Sequence, residues 1–121
     1  MKVYYAHSKL TYDTIKESRE LAYLRKNYDE VVDPNELGEL GSLQAYLDIV
    51  KTCDKLVCSS LDGFVGRGVF EEVSYALDIG LPVYGLSGAI RNRVTECLVK
   101  KVVVIDPNDW ILCYGEVQVC A

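Results

Sequence analysis

Short apolar runs alternate with amphipathic stretches along the chain. Residues 2–6 (KVYYA) are rich in β-branched and aromatic side chains and read as a buried strand. A polar loop, His7-Ser8-Lys9-Leu10-Thr11, follows. Residues 12–27 have helical spacing, with Ile15, Leu21, Ala22 and Leu24 set against Lys16, Glu17, Arg19, Glu20 and Arg25, and with Thr11 or Asp13 as cap. A second strand over 28–32 is closed by Asp33-Pro34, because proline offers no ladder donor. A glycine-containing loop over 35–41 leads to Ser42, which caps a helix running to Val50. Residues 55–60 form a third strand whose consecutive Leu56, Val57 and Cys58 suit coverage on both faces. The loop 61–68 carries three glycines, and 69–79 reads as a helix stopped by Gly80. Strands are predicted at 82–86 and 102–105, with a short helix at 91–99 between them. A turn over 106–109 leads into 110–120, which reads as a terminal hairpin (ILCY and VQVC around Gly115-Glu116) or a short last helix.

Alternating strands and helices predict an α/β fold. The expected form is one doubly wound, mainly parallel five-stranded sheet with helices on both faces, flavodoxin- or Rossmann-like, spanning 1–121 as a single domain. Ligands in such folds bind beyond the carboxyl ends of the strands. Those ends are the loops 7–11, 33–41, 61–68 and 87–89, so chemistry is expected there.

Composition narrows the chemistry. The chain has 18 acidic and 13 basic residues, a net charge of −5, which argues against nucleic acid or an anionic membrane as partner. It does not exclude a small anion held by backbone N–H groups at a helix start. The one histidine, His7, rules out a multi-histidine zinc site. The five cysteines are odd in number and none are spaced C-x-x-C, so zinc-ribbon and thioredoxin readings fail. No metal or organic cofactor is expected. No run approaches the ~20 apolar residues of a membrane span. The opening MKVYYA lacks a leader's apolar stretch, so a reducing, cytoplasmic setting is expected, with most thiols acting as small buried apolar groups.

One carboxylate stands out. With Val69 at the origin of a helical projection, Val73, Ala76, Leu77 and Gly80 fall within roughly 80° and define the buried stripe, while Glu71 and Asp78 lie opposite. Glu72 projects at about −60°, between Ile79 and Ala76 on the apolar flank. It either complements the helix dipole in the first turn or points a carboxylate into the cleft over the third strand. Gly66-Arg67-Gly68 just before it is either a connector or a place where backbone approaches an anion. It is neither the dinucleotide fingerprint, since Glu71 occupies the third glycine's place, nor a Walker A loop. Asp62 precedes Gly63 and reads equally as a turn residue or a functional acid.

The series YYAHS, DKLVCSSLDG and GRGVFEEVSYALDIGLPVYGL, over roughly residues 3–86, resembles the nucleoside 2-deoxyribosyltransferase superfamily, which includes deoxynucleoside 5′-monophosphate N-hydrolases. Glu72-Val73-Ser74-Tyr75-Ala76 and Gly80-Leu81-Pro82-Val83 take the positions of its glutamate and GKPV motifs. The resemblance implies that Glu72 is the nucleophile at the sugar C1′ and that Asp62 binds or protonates the leaving base. It assigns Tyr5, His7, Ser8, Gly66, Arg67, Gly68 and Ser87 to the substrate, with Lys9, Ser87, Arg67 and Arg91 available to neutralise a 5′-phosphate and Tyr12 to flank the cleft. It also implies a homo-oligomer. The sequence departs from the pattern at Gly66, where the transferases carry Asp, at Ser74, where they carry Gly, and at Leu81. The first departure favours hydrolysis over base exchange. The expected activity is thus cleavage of the N-glycosidic bond of a (deoxy)nucleoside or its 5′-monophosphate. The alternatives are a non-catalytic nucleotide-binding or sensor module on the same fold, and an interaction protein with an unrelated doubly wound fold.

Overall fold

The computed structural model describes residues 1–88, 93–106 and 109–114. Strand β1 (Lys2–Ala6) sits between β2 (Glu30–Val32) and β3 (Lys55–Ser59), and β3 in turn pairs with β5 (Val83–Ser87), all parallel. The register sets Tyr4 beside Val32 and Leu56, and Leu56 beside Val83. Helices fill the crossovers that parallel pairing demands. They are α1 (Ile15–Asn27), the single turn α2 (Pro34–Leu37), α3 (Leu43–Lys51) and α4 (Arg67–Asp78).

The sheet is wider and more mixed than expected. Three antiparallel strands extend it: β6 (Thr95–Asp106), β7 (Asp109–Tyr114) and the two-residue β4 (Phe64–Val65), in the order β2-β1-β3-β5-β6-β7-β4. The fold is therefore α/β with a seven-stranded mixed sheet, and the five-stranded expectation is corrected. The physical reason is connection length. Residues 88–94 between β5 and β6 are too few for a right-handed crossover, so β6 returns antiparallel. Residues 95–99, expected within a short helix, are strand, and 102–105 is the second half of the same strand. ILCY is a strand as expected, paired with β6; VQVC lies outside the described residues.

Alternation along β1 builds two cores. Tyr4 and Ala6 join Leu56, Cys58 and Val83 beneath Val50 of α3 and Val69, Val73 and Ala76 of α4. Val3 and Tyr5 join Val57 and Leu86 against Leu21 and Leu24 of α1. Successive strand residues point to opposite faces, which is why these strands read as unbroken apolar runs. Ser42 caps α3 as expected, accepting the Ala45 N–H, and Gly80 follows α4 with φ of 78°. The cap of α1 is Thr14 rather than Thr11 or Asp13. Its buried stripe also differs: Ile15 is 72% exposed, and Glu17 and Glu20 share the stripe with Leu21 and Leu24. Those four positions follow i, i+3, i+4, i+7 spacing, so two carboxylates occupy places that normally hold apolar residues. Among the described residues, no helix is long and apolar enough to cross a membrane.

Candidate functional site

A cleft of about 460 Å³ opens at the carboxyl ends of the strands. The segment after β1 contributes His7, Ser8, Lys9 and Tyr12. The segment from Pro34 into α3 contributes Glu39, Ser42 and Tyr46 among others, and the start of α4 contributes Gly66, Arg67, Gly68, Val69 and Glu72. Of the residues singled out in the sequence, His7, Ser8, Lys9, Tyr12, Gly66, Arg67, Gly68 and Glu72 thus converge on one cavity. Tyr5, Asp62 and Ser87 do not line it. Tyr5 faces the α1 side, where its hydroxyl donates to Glu20 Oε1 at 2.6 Å. Asp62 is exposed in a tight Leu61–Phe64 hairpin, where it and Gly63 have φ of 52° and 86°. That is the turn role open to an Asp-Gly pair, both central residues having positive φ. Ser87 is exposed at the end of β5, and Arg91 lies outside the described residues.

Glu72 is the chemical centre of the cleft. The expectation of a first-turn acid serving the helix dipole is corrected: α4 begins at Arg67, so Glu72 lies in its second turn, and it is 7% exposed. Burial raises its pKa from 4.5 to about 7, partly offset by a hydrogen bond donated to Oε2 by the Tyr4 hydroxyl. The carboxyl therefore exchanges protonation states near neutrality, as an acid–base group requires, and is ionised for nucleophilic attack above that pH. Tyr4 itself is driven far above the usual phenol range by burial and by the Glu72 charge, so it remains a donor. Tyr12 is pushed up to about 12, first by burial and then by Glu72 and Asp33, so it too offers a phenolic proton inside the cleft.

The start of α4 has no side-chain cap: Gly66 is the N-cap residue, and the first N–H groups lie at the cleft wall. A Cβ at Gly66 or Gly68 would meet nothing within 4 Å, so the protein's own packing does not demand these glycines. They leave room beside exposed backbone donors, which suits an anionic group. Lys9 bridges to Glu39 at 3.2 Å across exposed cleft residues, and Arg67 lies 4.0 Å from Glu71.

A second polar cluster lies beneath His7. The His7 ring stacks on Tyr5 with centroids 3.8 Å apart and tilts against Tyr12 at 4.8 Å. Its Nδ1 meets the Tyr5 carbonyl at 3.0 Å, and its Nε2 lies 2.7 Å from Glu17 Oε2 and 3.8 Å from Asp33 Oδ1. Glu17 also accepts the Asp13 N–H at 2.9 Å and the Asn35 amide at 3.1 Å. Burial lifts the Glu17 carboxyl, but the bonds from His7, Asp13 and Asn35 outweigh it and the net shift is downward. Burial is the largest effect on Asp33 and raises it despite the bond from the Asn35 N–H.

Sequence reasoning passed over Tyr4, Glu17 and Asp33. The clue to Tyr4 was strand alternation, since Tyr4 and Tyr5 must face opposite ways and only one can meet α4. The clue to Glu17 was its spacing from Leu21 and Leu24. Comparison with known proteins found no matching family model, curated protein or solved structure.

Proposed function

We propose that the protein cleaves the N-glycosidic bond of a (deoxy)nucleoside or nucleoside 5′-monophosphate, with Glu72 as nucleophile and water favoured over a second base as acceptor. The observation that carries this reading is the buried Glu72 opening on the cleft, with Tyr4 donating to it and a pKa raised to about 7. Oxocarbenium character at C1′ is stabilised or trapped by such a carboxylate. The uncapped start of α4, with Arg67 and Lys9 nearby, supports an anionic substituent such as a 5′-phosphate. The cavity volume lies within the range of small-molecule sites, roughly 300–1,000 Å³. On this reading, the four parallel strands with helices on both faces are a doubly wound, Rossmann-like core of the deoxyribosyltransferase kind, working as a homo-oligomer.

One observation favours a second reading, a nucleotide-binding module without catalysis: Asp62, the acid assigned to the leaving base, lies off the cleft. A single experiment separates the two. The protein is incubated with each deoxynucleoside 5′-monophosphate and free base is followed by chromatography. Release abolished in Glu72→Ala and retained in Glu71→Ala is the expected result. Nucleotide binding without base release would refute the catalytic reading.

A further inference from the structure

Glu17 and Asp33 have no role in the bond cleavage above, and they meet the Nε2 side of His7, turned away from the Tyr5 carbonyl. The three residues are buried, and their ligand-type atoms lie within 4.8 Å of one another, at the end of β1, in the first turn of α1 and at the cap of α2. Outside the cluster, the Tyr5 carbonyl at His7 Nδ1 can only accept, so that nitrogen carries the proton. The ring's Nε2 faces a carboxylate oxygen 2.7 Å away, a contact made either by an N–H donated from a doubly protonated ring or by a cation held between the two groups. Among the described residues, no lysine or arginine is in ion-pair contact with Glu17 or Asp33. Asn35 adds neutral donors only. A protonated imidazole would offset one buried carboxylate charge, whereas a doubly charged ion would offset both.

We propose that His7, Glu17 and Asp33 bind one divalent cation of the Mn²⁺ or Zn²⁺ class. An imidazole whose far nitrogen donates to a backbone carbonyl is oriented as metal-bound histidines are. One imidazole with two carboxylates suits borderline and hard divalent ions. Neighbouring ligands of an ion at ~2.1 Å stand about 3 Å apart in octahedral geometry. Binding therefore needs Glu17 to withdraw slightly from His7 and Asp33 to close in. His7 borders the cleft, whereas Glu17 and Asp33 are buried and do not line it. The inference stands apart from the glycosidic reading, since none of its residues is the nucleophile.

The test uses the sole histidine as its own probe. The full chain is stripped with a chelator and titrated with Mn²⁺, a hard ion that avoids thiols such as the exposed Cys97. Electron paramagnetic resonance counts bound ions while NMR follows the His7 ring. One ion per chain and selective broadening of His7 at micromolar Mn²⁺ are expected. Affinity should fall at least tenfold in both Asp33→Asn and Glu17→Gln, with circular dichroism checking that each variant is folded. A ring with protons on both nitrogens and no broadening up to millimolar Mn²⁺ would overturn the proposal and leave a buried ion pair. Broadening confined to exposed carboxylates would overturn it equally. Both readouts on the unmodified protein decide the matter even if a variant fails to fold.

Discussion

Replacing Glu72 by glutamine should make the protein more stable at alkaline pH and little different at acid pH. The Glu72 carboxyl has an ordinary value of 4.5, which burial raises to about 7 in the folded chain. For an acid whose folded pKa is raised, the native state holds its proton more tightly than the unfolded state does. Stability is then greatest below pH 4.5, falls between 4.5 and 7, and is lowest above 7. The difference in pKa corresponds to about 3 kcal/mol. Glutamine keeps an acceptor for the Tyr4 hydroxyl and carries no charge, so it removes this penalty, which is already net of the stronger bond that Tyr4 gives the charged carboxylate. The variant should therefore exceed the parent by about 3 kcal/mol at pH 8, equivalent to a rise of roughly 10–15 °C in Tm. Below pH 4.5 it should be equal to or slightly below the parent. Urea unfolding of both proteins from pH 4 to 9 measures this, and taking the difference cancels every other titrating group. Parallel curves across that range would refute the reasoning, because they would mean that Glu72 keeps its ordinary pKa.

Base release, if catalysed by ionised Glu72, should rise with pH along an acid limb centred near 7, read from kcat/KM. Tyr4→Phe removes the donor that favours the ionised carboxyl; its acid limb should move to higher pH, and folding stability at pH 8 should fall by about 2 kcal/mol. An unmoved limb would show that the Tyr4 bond does not tune Glu72. Leu24→Ala empties a fully buried site beneath α1 and should cost about 2–5 kcal/mol by denaturant unfolding while leaving the pH profile of activity in place.

The parallel half of the fold was legible because its strands are buried on both faces. KVYYA and KLVCS carry that burial as unbroken apolar runs, and Ser42, Gly80 and Asp33-Pro34 punctuate them. The antiparallel half was not. The residues from Arg91 to Val99 mix charge with apolar positions in a way that fits a short helix as well as a strand, and the limit on crossover length becomes visible only once both strand ends are fixed. Glu72 was legible from its helical projection because its neighbours are apolar. Glu17 occupies an equally buried position, but with Lys16 and Arg19 beside it the charge disguised the spacing. Tyr4 and Tyr5 are adjacent and chemically alike; nothing local says which of the two faces α4. That choice is made by the order of helices around the sheet.

The little strand β4 joins two things that sequence keeps far apart. Val65 pairs with Trp110 and Phe64 with Ile111, so the glycine loop that launches α4 is pinned to the outer hairpin rather than left hanging from β3. Residue 65 is buried, and the next residue is the cap of the helix that bears Glu72. The hairpin therefore works as an outrigger: its described residues line none of the cleft, yet it steadies the helix start that forms one wall. Changes at Trp110 or Ile111 could retune how firmly that wall stands without altering a single cleft residue. Adaptation of such a site to a new ligand can begin at the far rim of the sheet.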